Sequence, residues 1–180
     1  MAPAGGSRLR DPGTTPHARR MTAGRHSART ATAEDFAAIR AFSDGGELCR
    51  SILEPRFGSL ENFLASDDGI KDETLTILLE SGGPMAGWAC CFRYHERVGY
   101  SGVAQFVMDP GADPAREKAA ALFGACLAKS TALGMHTIVS MVRAATREDH
   151  RWHEERDFQT SGMLEIADGS ALVVFTRKLR

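Results

Sequence analysis

Hydrophobic residues recur at three- and four-residue steps in the second half of the chain, which is the spacing of one buried face of an α-helix. The positions on this face are Ala119, Leu122, Phe123, Cys126, Leu127, Ser130 and Leu133. Asp113 followed by Pro114 predicts the helix start, because the carboxylate can accept from unpaired amides and the proline ring presets φ. Gly134 predicts the helix end. A buried strand, Tyr100–Met108, leads directly into this helix, and many α/β proteins hold a phosphate at such a junction.

Shorter apolar runs predict further strands on both sides of that helix. The predicted strands are Ser27–Thr30, Leu75–Leu79, Met85–Tyr94, Tyr100–Met108, Thr137–Val142, Thr160–Ile166 and Ala171–Thr176. Helices are predicted at Ala33–Phe42 and Thr146–Arg156, and Glu47–Thr74 indicates a helical excursion. Short connections between the second, third and fourth strands predict antiparallel neighbours, whereas the continuous apolar run of the fifth is typical of a covered, parallel strand. This order predicts a single α/β domain with a mixed central sheet flanked by helices.

Residues 1–26 differ in composition from the rest of the chain. They are rich in Gly, Pro, Ser and Thr and carry five arginines, with Asp11 as the single acid. No apolar segment of a secretory signal is present, and prolines interrupt the amphipathic helix of a transit peptide. We therefore predict a disordered extension, with Met21 as a plausible alternative start, and a folded domain over residues 27–180.

The composition is that of an ordinary globular protein. The 180 residues are 43% hydrophobic and 25% charged, with a formal net charge of −1, which gives no argument for nucleic acid or an anionic membrane as a partner. No apolar run approaches the roughly 20 residues that span a bilayer. The four cysteines do not form a disulfide-framework pattern, and adjacent Cys90 and Cys91 must point to opposite faces of a strand. We expect reduced core cysteines and a cytoplasmic protein.

Three stretches carry a resemblance to a known family. They are A-L-G-M-H-T-I-V-S-M-V at Ala132–Val142, H-E-E-R-D-F at His153–Phe158 and F-R-Y-H-E-R-V-G-Y at Phe92–Tyr100. Their order and spacing resemble the GCN5-related N-acetyltransferase superfamily, most closely its phosphinothricin-type, small-molecule N-acetyltransferases. The resemblance implies acetyl-CoA as acyl donor and direct attack by the amino group of a small molecule. A homodimer is also expected, since many relatives dimerise through their sheets.

The resemblance implies a cofactor site at the central strand and the following loop. The main chain of Phe106, Val107 and Met108 would pair with the pantetheine arm like an added strand. The family loop carries glycines in a pattern such as R-G-x-G-x-G/A, whereas this chain has none at the matching positions, which include Asp113 and Pro114. Side-chain cations would supply part of the attraction. The remaining implied cofactor contacts are Ala115, Arg116, Glu117, Lys118 and Thr146.

The resemblance also implies the residues that move protons and hold the amine. The family glutamate that takes the proton of the amine falls at Val103 or Gln105, and neither is a carboxylate. Gln105 can orient a substrate by hydrogen bonds but cannot act as a base. His153 matches the family histidine, where a general acid or a proton relay is expected. The predicted catalytic residues are His153 and Gln105, and the predicted substrate-binding residues are Arg93, His95, Tyr100 and Gln105.

Two other interpretations accompany this one. His150, His153 and Glu154 have the spacing of metal ligands on one helical face, but they form no complete ligand set, and a solvated polar face is favoured. No metal is therefore predicted. Since the loop and the base both depart from the family pattern, the alternative function is a related fold that has lost acetyl-CoA chemistry. Such a protein would serve as a binding or partner subunit, or would use another donor.

Overall fold

The computed structural model describes residues 26–43, 53–80, 83–95, 98–165 and 169–179. The predicted extension lies outside these residues except for its last position, as do Cys49 and the first part of the predicted helical excursion. Within the described chain, no helix is both long and apolar enough to cross a membrane.

A seven-stranded mixed sheet forms the centre of the described structure. The strands are β1 His26–Thr30, β2 Thr76–Glu80, β3 Met85–Arg93, β4 Val103–Asp109, β5 Thr137–Arg143, β6 Gln159–Glu165 and β7 Ala171–Lys178. They lie in the order β1-β2-β3-β4-β5-β7-β6, in which β4 and β5 are parallel and every other pair is antiparallel. The predicted fold class is confirmed, including the parallel strand.

Helices lie on both faces of this sheet. They are α1 Phe36–Ser43, α2 Glu54–Phe57, α3 Leu60–Ala65, α4 Gly69–Thr74, α5 Glu117–Ala132 and α6 Arg147–Glu154, with short 3-10 turns at Ala33–Asp35 and Val98–Tyr100. One core layer packs β3, β4 and β5 against α5 and α6, and the other packs the opposite face against α1, α2 and α3. Side chains alternate between the layers, so Phe106 and Cys91 lie in the first, and Val107 and Cys90 in the second.

The two parallel strands stay together for only half of their length. Their pairing runs from Val103 opposite Thr137 to Phe106 opposite Ser140. Beyond this point β4 pairs only with β3, as far as Asp109, and β5 pairs only with β7. The sheet therefore opens between β4 and β5 just before α5 begins.

The predicted start of α5 is wrong by three residues. Helix α5 begins at Glu117, and Arg116 precedes it in a left-handed conformation with φ of 57°. Pro114 lies in a turn ahead of the helix, from which the Asp113 carboxylate reaches forward to accept from the Ala119 N–H at 2.8 Å. Asp113 thus satisfies a helix amide without being the cap, and the turn adds the extra residues.

The end of α5 and its buried face agree with the sequence pattern. Gly134 has φ of 77° and follows the last turn, as predicted for the residue that stops the helix. Every predicted core position up to Ser130 is buried or half-buried. Leu133 is 40% exposed, because it lies beyond the last helical residue.

A charged cluster at the start of the first helical segment allows a pH-dependent prediction. The Asp35 carboxylate accepts two hydrogen bonds from Arg29, at 2.7 and 2.8 Å, and one from the Thr32 N–H at 2.8 Å. The bonds from Arg29 lower the pKa of Asp35 from 3.8 to about 2. Since folding lowers this pKa, the stabilisation is present above about pH 4 and is lost as the pH falls through about 2.

We expect Asp35→Ala to lower the free energy of unfolding by about 1 kcal/mol near neutral pH, the usual cost of a lost helix cap. The difference from wild type should shrink as the pH approaches 2. Urea denaturation across this range measures both. Glu34→Ala, at the adjacent acidic position, is the control and should have the smaller effect; equal effects of the two variants at neutral pH would contradict the prediction.

Candidate active-site cleft

The opening between β4 and β5 leads into a cavity of about 230 Å³. Its walls are residues 106–110 from the end of β4, residues 140–142 of β5, and Arg116 just before α5. Helix α6 contributes Asp149, Trp152 and His153. The main-chain groups of β4 that point away from β3 have no partner strand beyond Phe106, because β5 has diverged. An extended ligand that carries amide groups can pair with this edge.

His153 lies in the wall of this cleft within a defined hydrogen-bond chain. Its Nδ1 is 2.7 Å from the carbonyl oxygen of Asp149, and its Nε2 is 2.9 Å from the Ser140 hydroxyl. A carbonyl oxygen only accepts, so Nδ1 carries the proton and Nε2 accepts from Ser140. Burial lowers the pKa of His153 below its ordinary 6.5. The imidazole is therefore neutral at neutral pH, with its basic nitrogen facing a hydroxyl.

Ser140 was not identified from the sequence. It occupies the last paired position of β5, opposite Phe106, and so lies where the opening closes. The apolar run T-I-V-S-M-V concealed it, although a single polar residue in the middle of a buried strand is itself a signal. The helix that carries His153 follows this strand, and α6 must fold back over β5 before the two side chains meet.

Trp152 brings an unpaired donor to the same cleft. Its side chain is buried and packs edge-on against Phe123 and His153. The indole Nε1 is buried as well and has no hydrogen-bond partner among the described residues. A buried donor left in this state is costly, so this N–H indicates a place for an acceptor atom of a bound molecule.

The mouth of the cleft is closed by charge pairs within the chain. The Arg116 guanidinium lies 2.7 Å from the Asp149 carboxylate and 3.8 Å from that of Glu148. Because Asp113 already holds the Ala119 amide, one of the donors at the start of α5 is occupied. Any phosphate bound here must share Arg116 with Asp149. This distinguishes the loop from a glycine-rich one that presents unoccupied amides.

A buried network fixes the rim at the end of β4. The Trp88 indole N–H donates to the Ser43 hydroxyl at 2.7 Å, and that hydroxyl donates to the Asp109 carboxylate at 2.9 Å. The other oxygen of Asp109 accepts from the Gly111 N–H at 3.1 Å. The rim is therefore tied to the end of α1 and to β3.

The structure gathers only part of the predicted site. Phe106, Val107, Met108, Arg116 and His153 line the cleft. The neighbours of Arg116 in the predicted set occupy the turn and first residues of α5, and Thr146 immediately precedes α6. The positions that do not themselves line the cleft are Ala115, Glu117, Lys118 and Thr146.

The other predicted residues lie away from the cleft wall. Gln105 is on the opposite sheet face from His153, with its Nε2 3.9 Å from the Met141 sulfur. Arg93 is opposite Ala104, at the far end of β4, and lines a separate polar cavity of about 380 Å³. His95 stacks on Tyr100, with ring centroids 5.5 Å apart. The structure does not bring these substrate-binding candidates to His153, and their roles stay predictions.

The spacing that suggested metal ligands on α6 serves other hydrogen bonds. His150 Nε2 is 3.0 Å from the carbonyl oxygen of Arg143, and His153 is engaged as described. Throughout the part of the chain that the structure describes, no group of three or more His, Cys, Asp or Glu residues could hold a metal ion.

A mixed sheet that opens between two parallel central strands, with a helix starting at the opening, defines the fold of the GCN5-related N-acetyltransferases. Comparison with solved structures confirms this fold. A phosphinothricin acetyltransferase of that superfamily from Sinorhizobium meliloti, solved in complex with acetyl-CoA, is 16% identical; the match covers 87% of this chain and 89% of that one, with a TM-score of 0.70. The sequence-based resemblance is therefore confirmed at the level of the fold.

Two further structures give the same result. A GCN5-related N-acetyltransferase from Kribbella flavida is 18% identical, with coverage of 86% and 98% and a TM-score of 0.68. An N-acetyltransferase from Staphylococcus aureus Mu50 is 17% identical, with coverage of 87% and 100% and a TM-score of 0.69. No family model and no curated protein sequence matches the chain. At these identities the likeness establishes the fold alone.

Proposed function

We propose that this protein is an N-acetyltransferase that transfers the acetyl group of acetyl-CoA to the amino group of a small molecule. The observation that carries the proposal is the opening between β4 and β5, with His153 in its wall. An acetyl-CoA complex of the same fold supports acetyl-CoA as the donor. The small-molecule amine, a homodimer and a cytoplasmic location are parts of the proposal that rest on the sequence alone.

The residues present fit the thioester end of the donor better than its phosphate end. The unpaired edge of β4 at residues 107–109 suits the amides of the pantetheine arm, and the Trp152 N–H suits an acceptor oxygen. Arg116 and Lys118 are the cations nearest the start of α5 in the sequence. The glycine-free turn offers fewer amides, so recognition of the phosphates would rely on side chains.

The chain supplies the proton acceptor through His153. Acetyl-CoA brings an activated thioester, and an amine must lose a proton as it attacks that carbonyl. Gln105 cannot take the proton. Asp109 and Asp149 line the cleft, but both carboxylates are held at its rim by Ser43 and Arg116. The neutral imidazole of His153, with Nε2 as acceptor, is the group in place to receive a proton and pass it to the leaving thiolate.

Calorimetric titration with acetyl-CoA tests this proposal directly. We expect Arg116→Ala to weaken binding by about tenfold, the loss of roughly 1.4 kcal/mol of charge-assisted contact. Asp149→Asn should have the opposite effect and tighten binding, since it releases Arg116 and keeps the carbonyl that orients His153. Binding should weaken with added salt.

Arg151→Ala is the matched control, because it removes an exposed cation from the same helix without touching the cleft. If all three variants behave alike, Arg116 does not contact the donor. If wild type binds neither acetyl-CoA nor CoA, the proposal fails and the alternative of a fold that has lost acetyl-CoA chemistry is favoured. Release of CoA thiol in the presence of a panel of small amines then tests the acceptor class.

A further inference from the structure

The Ser140 hydroxyl and the His153 imidazole form a hydrogen-bonded nucleophile and base. The oxygen and Nε2 are 2.9 Å apart, and Nδ1 is held by the Asp149 carbonyl oxygen at 2.7 Å. A hydroxyl, an imidazole and an acceptor that orients the imidazole are the components that activate serine for acyl transfer. A backbone carbonyl fills the third position here.

The location of this pair adds a second, independent observation. Ser140 is 5% exposed and His153 4% exposed, yet both line the cleft. Ser140 is opposite Phe106 at the last rung before β4 and β5 separate. A serine that served only to pair with a core histidine would not need to stand at the closed end of an opening. The pair faces the place where the reacting end of an inserted thioester would lie.

A third observation concerns what the cleft lacks. Direct attack by an amine needs a base of its own on the acceptor side, and Gln105 occupies that position on the sheet face opposite His153. Two-step transfer removes this need, because one imidazole can serve both half-reactions in turn.

We propose that Ser140 is a catalytic nucleophile that carries the acyl group between donor and acceptor. This inference rests on the proposed function and replaces direct attack by double displacement. In the first step Ser140 Oγ bonds to the thioester carbonyl carbon as its proton passes to His153 Nε2. The C–S bond breaks, and the thiolate of CoA takes that proton, which leaves an acetyl ester on Ser140 and free CoA.

The second step restores the enzyme. A neutral amine, or water in its absence, attacks the ester carbonyl carbon while His153 Nε2 takes a proton from it. The C–O bond to Ser140 breaks, and the proton on His153 returns to Ser140 Oγ. The products are the acetylated amine and the original hydroxyl. No oxidant, reductant or other reactant is consumed.

The test uses p-nitrophenyl acetate, an activated ester that does not depend on the phosphate-binding loop. With the full-length wild-type protein we expect a burst of p-nitrophenolate of about one equivalent per chain, followed by slower turnover. Mass spectrometry of the quenched protein should find one added acetyl group and place it on Ser140. Acetyl-CoA without an amine should give the same adduct, and adding the amine should discharge it.

Variants separate chemistry from folding. Ser140→Ala should abolish the burst and lower turnover by about 100-fold or more, whereas Ser140→Cys keeps a nucleophile of similar size and should still be acetylated, on the new side chain. Ser130→Ala is the matched control, since Ser130 is fully buried on α5, does not line the cleft and should be silent.

The results distinguish this inference from the proposed function. If acetyl-CoA binds and amines are acetylated, but Ser140 is never labelled and Ser140→Ala retains turnover within about threefold of wild type, the inference is overturned and the proposed function stands. Acetyl groups found only on lysines or cysteines also overturn it. If p-nitrophenyl acetate labels Ser140 while acetyl-CoA does not bind, the nucleophile is supported and the donor is wrong.

Discussion

Replacing His153 by alanine is expected to lower kcat for acetyl transfer by about 100- to 1,000-fold, the range for removal of a general acid or base. The affinity for acetyl-CoA should change little, because the proposed donor contacts lie on β4 and at the start of α5. Steady-state kinetics and calorimetry on the same preparation measure the two quantities. Loss of affinity with unchanged kcat would assign His153 to binding instead of proton transfer.

His150→Ala is the matched control for this variant. It removes the same side chain one helical turn earlier, and His150 does not line the cleft. Its Nε2 contacts only the Arg143 carbonyl oxygen among the hydrogen bonds described. We expect kcat to stay within about threefold of wild type. Equal losses from the two variants would indicate a general disturbance of α6 and contradict a specific role for His153.

The pH dependence gives a readout that a purely structural role would not reproduce. Burial lowers the pKa of His153 from 6.5, so Nε2 stays available at neutral pH and kcat should decline only on acidification below 6.5. Unfolded protein keeps the ordinary pKa and takes up the proton first, so the contribution of the neutral histidine to stability is also lost below 6.5. In His153→Ala both acid-dependent changes should be absent.

Gly87→Ala is expected to lower the free energy of unfolding by about 1–3 kcal/mol, as overpacking of a core does. A Cβ at this position on β3 would lie 2.9 Å from the Asp109 carbonyl oxygen and 3.1 Å from both Pro110 Cα and a Leu122 methyl group. Two of these three atoms are backbone and cannot rotate away. Since residues 109 and 110 form the rim of the cleft, donor binding should weaken as well.

Gly124→Ala is the opposite case of the same chemical change. Gly124 lies in the interior of α5, is exposed, and a Cβ there would meet open space. Alanine should therefore stabilise the protein by about 0.5–1 kcal/mol, because it restricts the unfolded chain and favours the helix. Denaturant titration of both variants measures the difference in sign. Destabilisation by both would show that the tight contact at Gly87 is not the cause of its loss.

The strand and helix pattern was predictable because each element satisfies its own periodicity. The T-I-V-S-M-V run is parallel-paired and covered, as its apolar character indicated. The stripe along α5 is buried through Ser130. The start of α5 was not predictable from Asp113-Pro114, since the carboxylate acts across a turn and Arg116 adopts a left-handed conformation. A local capping signal does not specify how many residues separate the acceptor from the amide.

The candidate site was predictable only where the chain itself is contiguous. Residues 106–108 and His153 were identified from motifs, and they line one cleft. Gln105 was placed with His153 by the resemblance, but strand alternation puts its side chain on the other sheet face. Arg93 follows from the same hairpin motif and lies at the far end of β4.

The sequence by itself determined the order of elements, the mixed sheet and the strand that leads into α5, because these follow from periodicity and turn residues within short stretches of chain. Only the tertiary structure decided which functional groups meet. The hydrogen bond between Ser140 and His153 forms because α6 folds back over β5, and the ion pair of Arg116 with Asp149 joins residues more than 30 positions apart. Both contacts depend on where two strands separate, and no local pattern encodes that separation.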